Sequence, residues 1–233
     1  MPDGADIMII GEKDKGQTPM VIAVVSAKGG TGKSTITLNL ASALLSDNNR
    51  VLVVDADQQG SIAQWAKIKK QDKPDIIVEP SPVVDKKIKK AVKKYDIILF
   101  DSPPTFKKSM KSVIRSVDRL IIPVSPGLAD FWSTEKLLNI YIDEKEKRPK
   151  LDARLLISRI DRRTRIGRDF RPFLEKLSIP IFISDIPQRA VYNEAWQAGM
   201  TADRLQPNGD GAKDFQRLAR EVMLWLSRSW LKK

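Results

Sequence analysis

The chain contains no cysteine and no histidine among its 233 residues. Those absences remove disulfides, thiolate nucleophiles, imidazole general bases and nearly all zinc or iron–sulfur chemistry. Any reaction must rest on carboxylates, lysines and a hard cation. Long apolar runs are missing too: Ile7-Met8-Ile9-Ile10 is a patch of only four residues, against the roughly 20 needed to span a bilayer. Neither a signal peptide nor a membrane span is expected. Acidic residues are outnumbered, 29 against 41 Lys and Arg, for a net charge of +12. Such an excess attracts nucleic acid or an anionic membrane surface. The length suits one α/β domain with a core covered on both faces and is short for two. Residues 1–20 mix Gly, Pro, Asp and Lys and read as a flexible extension or added edge segment, with 21–233 as the single domain.

What is present is a phosphate-binding pattern. The apolar run Val21-Ile22-Ala23-Val24-Val25 leads directly into Ala27-Lys28-Gly29-Gly30-Thr31-Gly32-Lys33-Ser34. From Ala27 the spacing fits small-x-x-x-x-Gly-Lys-Ser/Thr, with alanine where the standard pattern has its first glycine. Gly29, Gly30 and Gly32 let the backbone curl so that successive N–H groups point at phosphate oxygens. Lys33 is placed for the β- and γ-phosphates and Ser34 for Mg²⁺, and a helix starting near Lys33 aims its positive end at the anion. Thr31 and Thr35 complete the candidate nucleotide-binding set. Lys28 sits too early to duplicate Lys33, so it points away from the phosphates of its own subunit.

Two further apolar runs end in acids. Val51-Leu52-Val53-Val54 leads to Asp55-Ala56-Asp57-Gln58-Gln59-Gly60, and Ile97-Ile98-Leu99-Phe100 to Asp101-Ser102-Pro103-Pro104. Ligands of open α/β sheets gather at the carboxyl ends of the strands. Asp55 and Asp57 could there order Mg²⁺-bound water and the attacking water, and Asp101 could hold Mg²⁺ through water opposite Ser34. A solvated acidic turn capping the next helix is the plainer alternative for Asp55 and Asp57.

The heptapeptide Lys28–Ser34 resembles the deviant Walker A motif of the ParA/MinD family of ATPases. Asp101-Ser-Pro-Pro resembles the same family's Asp-x-Pro-Pro turn, and Asp55-x-Asp57-x-Gln59 its switch I, with Gln58 where many members have proline. The likeness covers roughly residues 20–230 and is best to the small, single-domain ParA proteins. It implies a doubly wound, mostly parallel α/β sheet with helices on both faces, ATP/ADP and Mg²⁺ as ligands, and ATP hydrolysis. By resemblance, Lys28 crosses a dimer to the partner's nucleotide, Asp57 positions the nucleophilic water and Asp55 supports the metal shell. Leu156-Ile157-Ser158-Arg159 and Ile186-Pro187-Gln188-Arg189-Ala190-Val191-Tyr192 look like segments of small partition ATPases that approach the adenine and the dimer interface, which implies that Arg159 and Pro187 are nucleotide-proximal, with simple loop packing the alternative for each. The implied partners are a second copy of the chain, nonspecific DNA, and a ParB-like or other cargo adaptor that stimulates hydrolysis. The implied location is the cytoplasm, on the nucleoid. The runner-up is a MinD-like, membrane-recruited regulator.

Along the rest of the chain, Ser61–Lys70 reads as an amphipathic helix with Ile62, Trp65, Ala66 and Ile68 inward. Residues 83–95 look helical with a lysine face (Lys86, Lys87, Lys89, Lys90, Lys93, Lys94) that no aromatics interleave. It is either solvated or a nucleic-acid contact. Arginines concentrate at 159, 162, 163, 165, 168 and 171, a density suited to DNA phosphates. The last helix, Ala212 to about Leu231, carries Phe215, Leu218, Val222, Trp225, Leu226 and Trp230 on one side. It either closes the sheet's last face or lies on a membrane surface, and packing is the favoured reading.

Overall fold

In the computed structural model, residues 19–45, 49–57, 60–69, 74–78, 94–103 and 108–230 are described. The lysine-rich helix expected over 83–95 lies almost wholly outside them, as do Gln58, Pro104 and all but the end of the N-terminal extension. Seven strands form the sheet: β1 (Met20–Val24), β2 (Val51–Asp55), β3 (Asp75–Val78), β4 (Ile97–Asp101), β5 (Arg119–Val124), β6 (Asp152–Ile160) and β7 (Ile186–Pro187). Their order is β3-β2-β4-β1-β5-β6-β7, and every pairing is parallel. The central strands are buried on both faces, so they read in the sequence as unbroken apolar runs rather than alternating ones.

Side-chain alternation then divides those runs between two cores. Ile22, Val24, Val51, Val53, Ile97 and Leu99 face one side, with the helices α1 (Lys33–Leu44) and α2 (Ser61–Ile68) over them. Ala23, Leu52, Val54, Ile98 and Phe100 face the other, against α3 (Lys108–Ser116), α4 (Leu128–Lys147) and α5 (Arg165–Leu174). Two short helices, α6 (Ala190–Gln197) and α7 (Ala202–Leu205), precede the long α8 (Asp210–Trp230).

Helix α8 closes the first face. Phe215, Leu218, Val222, Trp225 and Leu226 are buried in the same cluster as Ile36, Leu40 and Leu44 of α1. Trp225 also donates its indole N–H to Asp152 at 2.7 Å, and Arg119 and Arg154 lie over its ring. The packing alternative for this helix is the one the structure adopts.

One inward assignment fails. Ile62 and Trp65 are buried, but Ile68 is half exposed. The helix ends at Ile68, where Lys69 leaves in an extended conformation, so the apolar phase runs out with the helix. The segment 186–205, which carries no strong period, forms β7, α6 and α7.

Candidate nucleotide site

The strand order places β1 between β4 and β5, so the chain leaves the middle of the sheet in opposite directions. A crevice forms at the carboxyl ends where the order reverses, and the loop after β1 lies there. Gly30 and Gly32 take φ of 81° and 85°, a region that side-chain-bearing residues rarely enter. Gly32 is the residue at which α1 begins, and the Ile36 N–H returns to its carbonyl at 2.8 Å.

Lys33 opens the helix and is buried, with Nζ donating to the Lys28 carbonyl at 3.2 Å. Burial pulls its pKa down, and the carboxylates of Asp101 and Asp57 pull it back up. Ser34 donates to Asp101 Oδ2 at 2.6 Å. Asp101 is 1% exposed, and burial pushes its carboxyl up to about 7 against the opposing Ser34 bond and Lys33 charge. The Ser34 hydroxyl and Asp101 carboxylate make an all-oxygen donor pair of the kind Mg²⁺ takes alongside substrate phosphate and water. The residues therefore fit the ion that the pattern implies.

Asp55 stands in register with Asp101 across β2 and β4. Its carboxylate is fully buried and accepts backbone N–H groups from Asp57 at 3.1 Å and Ala63 at 2.8 Å. It thus closes the turn into α2 as well as standing beside the Ser34–Asp101 pair. Asp57 is half-buried at the mouth of that turn, and the Gly60 N–H bonds its carbonyl. Thr31 is buried and Thr35 half-buried on the loop and first helical turn.

Lys28 turns away from Lys33. Its ammonium donates to Asp130 in the first turn of α4, and its side chain is 47% exposed. Asp130, separated from Lys28 by 102 residues, escaped the sequence reading because no local pattern marks it. Ser158, named in the sequence only within the Leu156–Arg159 segment, places its hydroxyl on the Thr31 carbonyl at 3.1 Å. Arg159, in a left-handed backbone conformation at φ 55°, reaches the Gly30 carbonyl. The end of β6 thus braces the loop from behind.

Beside the loop opens a cleft of about 400 Å³, walled by Lys28, Gly29 and Gly30 on one side and by Arg159, Asp161 and Gln188 on the other. Lys33, Ser34 and Asp101 are not in its lining. Pro187 itself pairs with Ile160 across β6 and β7, which brings its neighbour Gln188 to the cleft. The arginine-rich segment is largely engaged internally: Arg162 on Asp185, Arg163 on Asp161, and Arg171 on the Phe182 and Ile183 carbonyls.

A parallel sheet whose central strand runs through a glycine loop into a helix, with acids on the adjacent strand ends, defines a P-loop nucleotide-binding protein. The chain belongs to the CobQ/CobB/MinD/ParA nucleotide-binding domain family, whose model matches residues 22–202. It is 30% identical over 207 residues to the maintenance of carboxysome distribution protein A of Halothiobacillus neapolitanus, covering 87% of this chain and 95% of that one. It is 25% identical over 238 residues to the chromosome-partitioning ATPase Soj of Thermus thermophilus, covering 87% and 94%. Among solved structures, the septum site-determining protein MinD of Pyrococcus horikoshii, complexed with Mg-ADP, shares the fold with a TM-score of 0.68 and 24% identity over 88% of this chain and 96% of that one.

Proposed function

We propose that this protein is a ParA-type positioning ATPase, which dimerises on ATP, binds DNA without sequence preference as the dimer, and leaves it on hydrolysis. The observation that carries the reading is Lys28. It sits inside the phosphate loop, its ammonium turned from Lys33 to Asp130 at the rim, and its side chain is half exposed. A lysine so placed is available to the nucleotide of a second subunit.

In the proposed reaction the loop N–H groups and Lys33 hold the β- and γ-phosphates, and Asp57 orients a water in line with the γ-phosphorus. The water oxygen bonds to phosphorus as the bridging bond to ADP breaks, the electron pair leaves with ADP, and the water's proton ends on phosphate. Mg²⁺ at Ser34 and Asp101 supplies charge neutralisation at the phosphate oxygens. Asp55, fixed by two backbone N–H groups, supports that metal shell and keeps Asp57 at the mouth of the turn. Arg159, Pro187 and the cleft beside them receive the base.

The net charge of +12 supports a polyanionic track, and pairing two subunits doubles the cationic surface. The carboxysome-distribution and chromosome-partitioning relatives support a large cargo, a protein-shelled compartment or a DNA molecule, tethered through an adaptor that stimulates hydrolysis over the nucleoid. The test is binding to random-sequence duplex with ATP, with ADP and with neither. Tight binding is expected with ATP alone, and Lys28→Ala is expected to lose it at least tenfold. Equal binding in all three states would sink the reading.

A further inference from the structure

We propose that Arg163 sets the base selectivity of the cleft: by holding Asp161 it denies guanine the carboxylate that would read it, leaving adenine to be read by Gln188. The inference rests on the nucleotide reading above and adds which base the site takes and why.

Asp161 and Gln188 both line the cleft beside the loop. Guanine presents two adjacent donors on its pairing edge, N1–H and the 2-amino group, and a free carboxylate is their natural acceptor. Adenine presents a donor beside an acceptor, the pattern a side-chain amide matches with both its ends. The two residues could therefore serve opposite bases.

The carboxylate is not free. Its Oδ1 accepts the Arg163 backbone N–H at 3.0 Å and Nε at 2.9 Å, and Oδ2 accepts Nη2 at 2.8 Å. Three of about four lone-pair positions are thus used, and the guanidinium cancels the charge. These bonds, the side-chain one first, hold the Asp161 carboxyl down to about 2, so it stays an acceptor throughout the neutral range. Arg163 is 91% exposed and Asp161 40%. An ion pair so exposed adds little to folding, which leaves recognition as its consequence. Guanine, which needs an acceptor position on each oxygen, could reach the carboxylate only by displacing a bond on Oδ1 and facing the Arg163 charge.

The backbone beneath is fixed. The Asp161 carbonyl accepts from the Thr164 hydroxyl at 2.8 Å and from its N–H at 3.2 Å. Gly167 packs so tightly that a Cβ there would lie 2.1 Å from the same oxygen. Asp161 therefore keeps its place whether or not Arg163 is present.

The experiment is equilibrium binding of ATP, GTP, ITP and inorganic tripolyphosphate to the full chain, to Arg163→Ala, and to Arg163→Ala combined with Asp161→Asn. The parent is expected to bind ATP about tenfold more tightly than GTP. Arg163→Ala is expected to tighten GTP at least fivefold. ITP, which lacks the 2-amino group, should gain less, and tripolyphosphate should not change. The double variant should lose the gain. A parent without base preference, or an Arg163→Ala chain whose GTP affinity stays put while tripolyphosphate still binds, overturns the inference and leaves the nucleotide reading intact. Failure of the parent to bind tripolyphosphate and every nucleotide overturns both.

Discussion

Asp101 is a carboxylate kept out of water, 1% exposed at the end of β4. Its folded-state pKa of about 7 lies above the ordinary 3.8, with burial as the first cause. The sign follows: the protonated form is the one the fold favours, so its contribution is full below about pH 4 and is lost as pH rises through 7. Asp101→Asn should therefore raise the melting temperature of the nucleotide-free protein at pH 8, by about 1–2 kcal/mol of stability, and do little at pH 4. The loss of a counter-charge for Lys33 trims the gain. The same variant should lose ATP hydrolysis, and paired melts and phosphate-release assays at the two pH values check both halves. Asp57 is half-buried at the mouth of the turn after β2. Asp57→Ala should cut phosphate release roughly 10²–10⁴-fold while leaving ATP affinity within about threefold, so a matching loss of binding would reassign it to structure.

At the scale of elements, α8 bears on whether its apolar side closes the sheet or lies on a membrane. Its tryptophan and aliphatic side are inside the molecule, and Trp225 is pinned by Asp152 and two overlying guanidinium groups. A lipid-bound helix would have to surrender that packing. Trp225→Ala should cost about 3–5 kcal/mol in denaturant unfolding, and the parent should not float with anionic vesicles in ATP. Co-flotation together with a small stability loss would move the protein to the membrane-recruited branch. The elements also show how far a sequence can be read. The glycine loop, the strands and their terminal acids were legible because their signals are local: residue spacing and continuous burial. Asp130 was not, since it meets the loop from 102 positions away with no local pattern to mark it, and the Ser158 bond to the Thr31 carbonyl was not, although its segment was. Strand β7 has only two residues, one of them proline, too short to carry a period. Ile68 misled because an apolar helical phase continues to the residue where the helix itself stops.

At the scale of the molecule, the proposed cycle would link nucleotide to DNA through charge. Dissociation of counterions makes the logarithm of DNA affinity fall linearly with the logarithm of salt, with a slope set by the number of phosphates neutralised. If ATP pairs two subunits on one duplex, the slope measured with ATP should be about twice that of a Lys28→Ala chain. Equal slopes would mean that a single subunit makes all the contacts.

The closure of α1 by α8 also bears on how the chain is made. Strands β1, β2 and β4 and the phosphate loop are complete by residue 101, yet α1 meets Thr201, Ala202, Asp203 and the apolar side of α8 only when residues 201–226 arrive. Contacts so distant in sequence form late and slowly. During synthesis a nascent chain therefore carries an assembled loop beneath an uncovered apolar helix, a state prone to clump with its neighbours. The last 20 or so residues act as the stopper that ends this exposure. Nicked or prematurely terminated chains should accordingly be cleared or aggregate, rather than persist as shortened ATP-binding fragments competing with the whole protein.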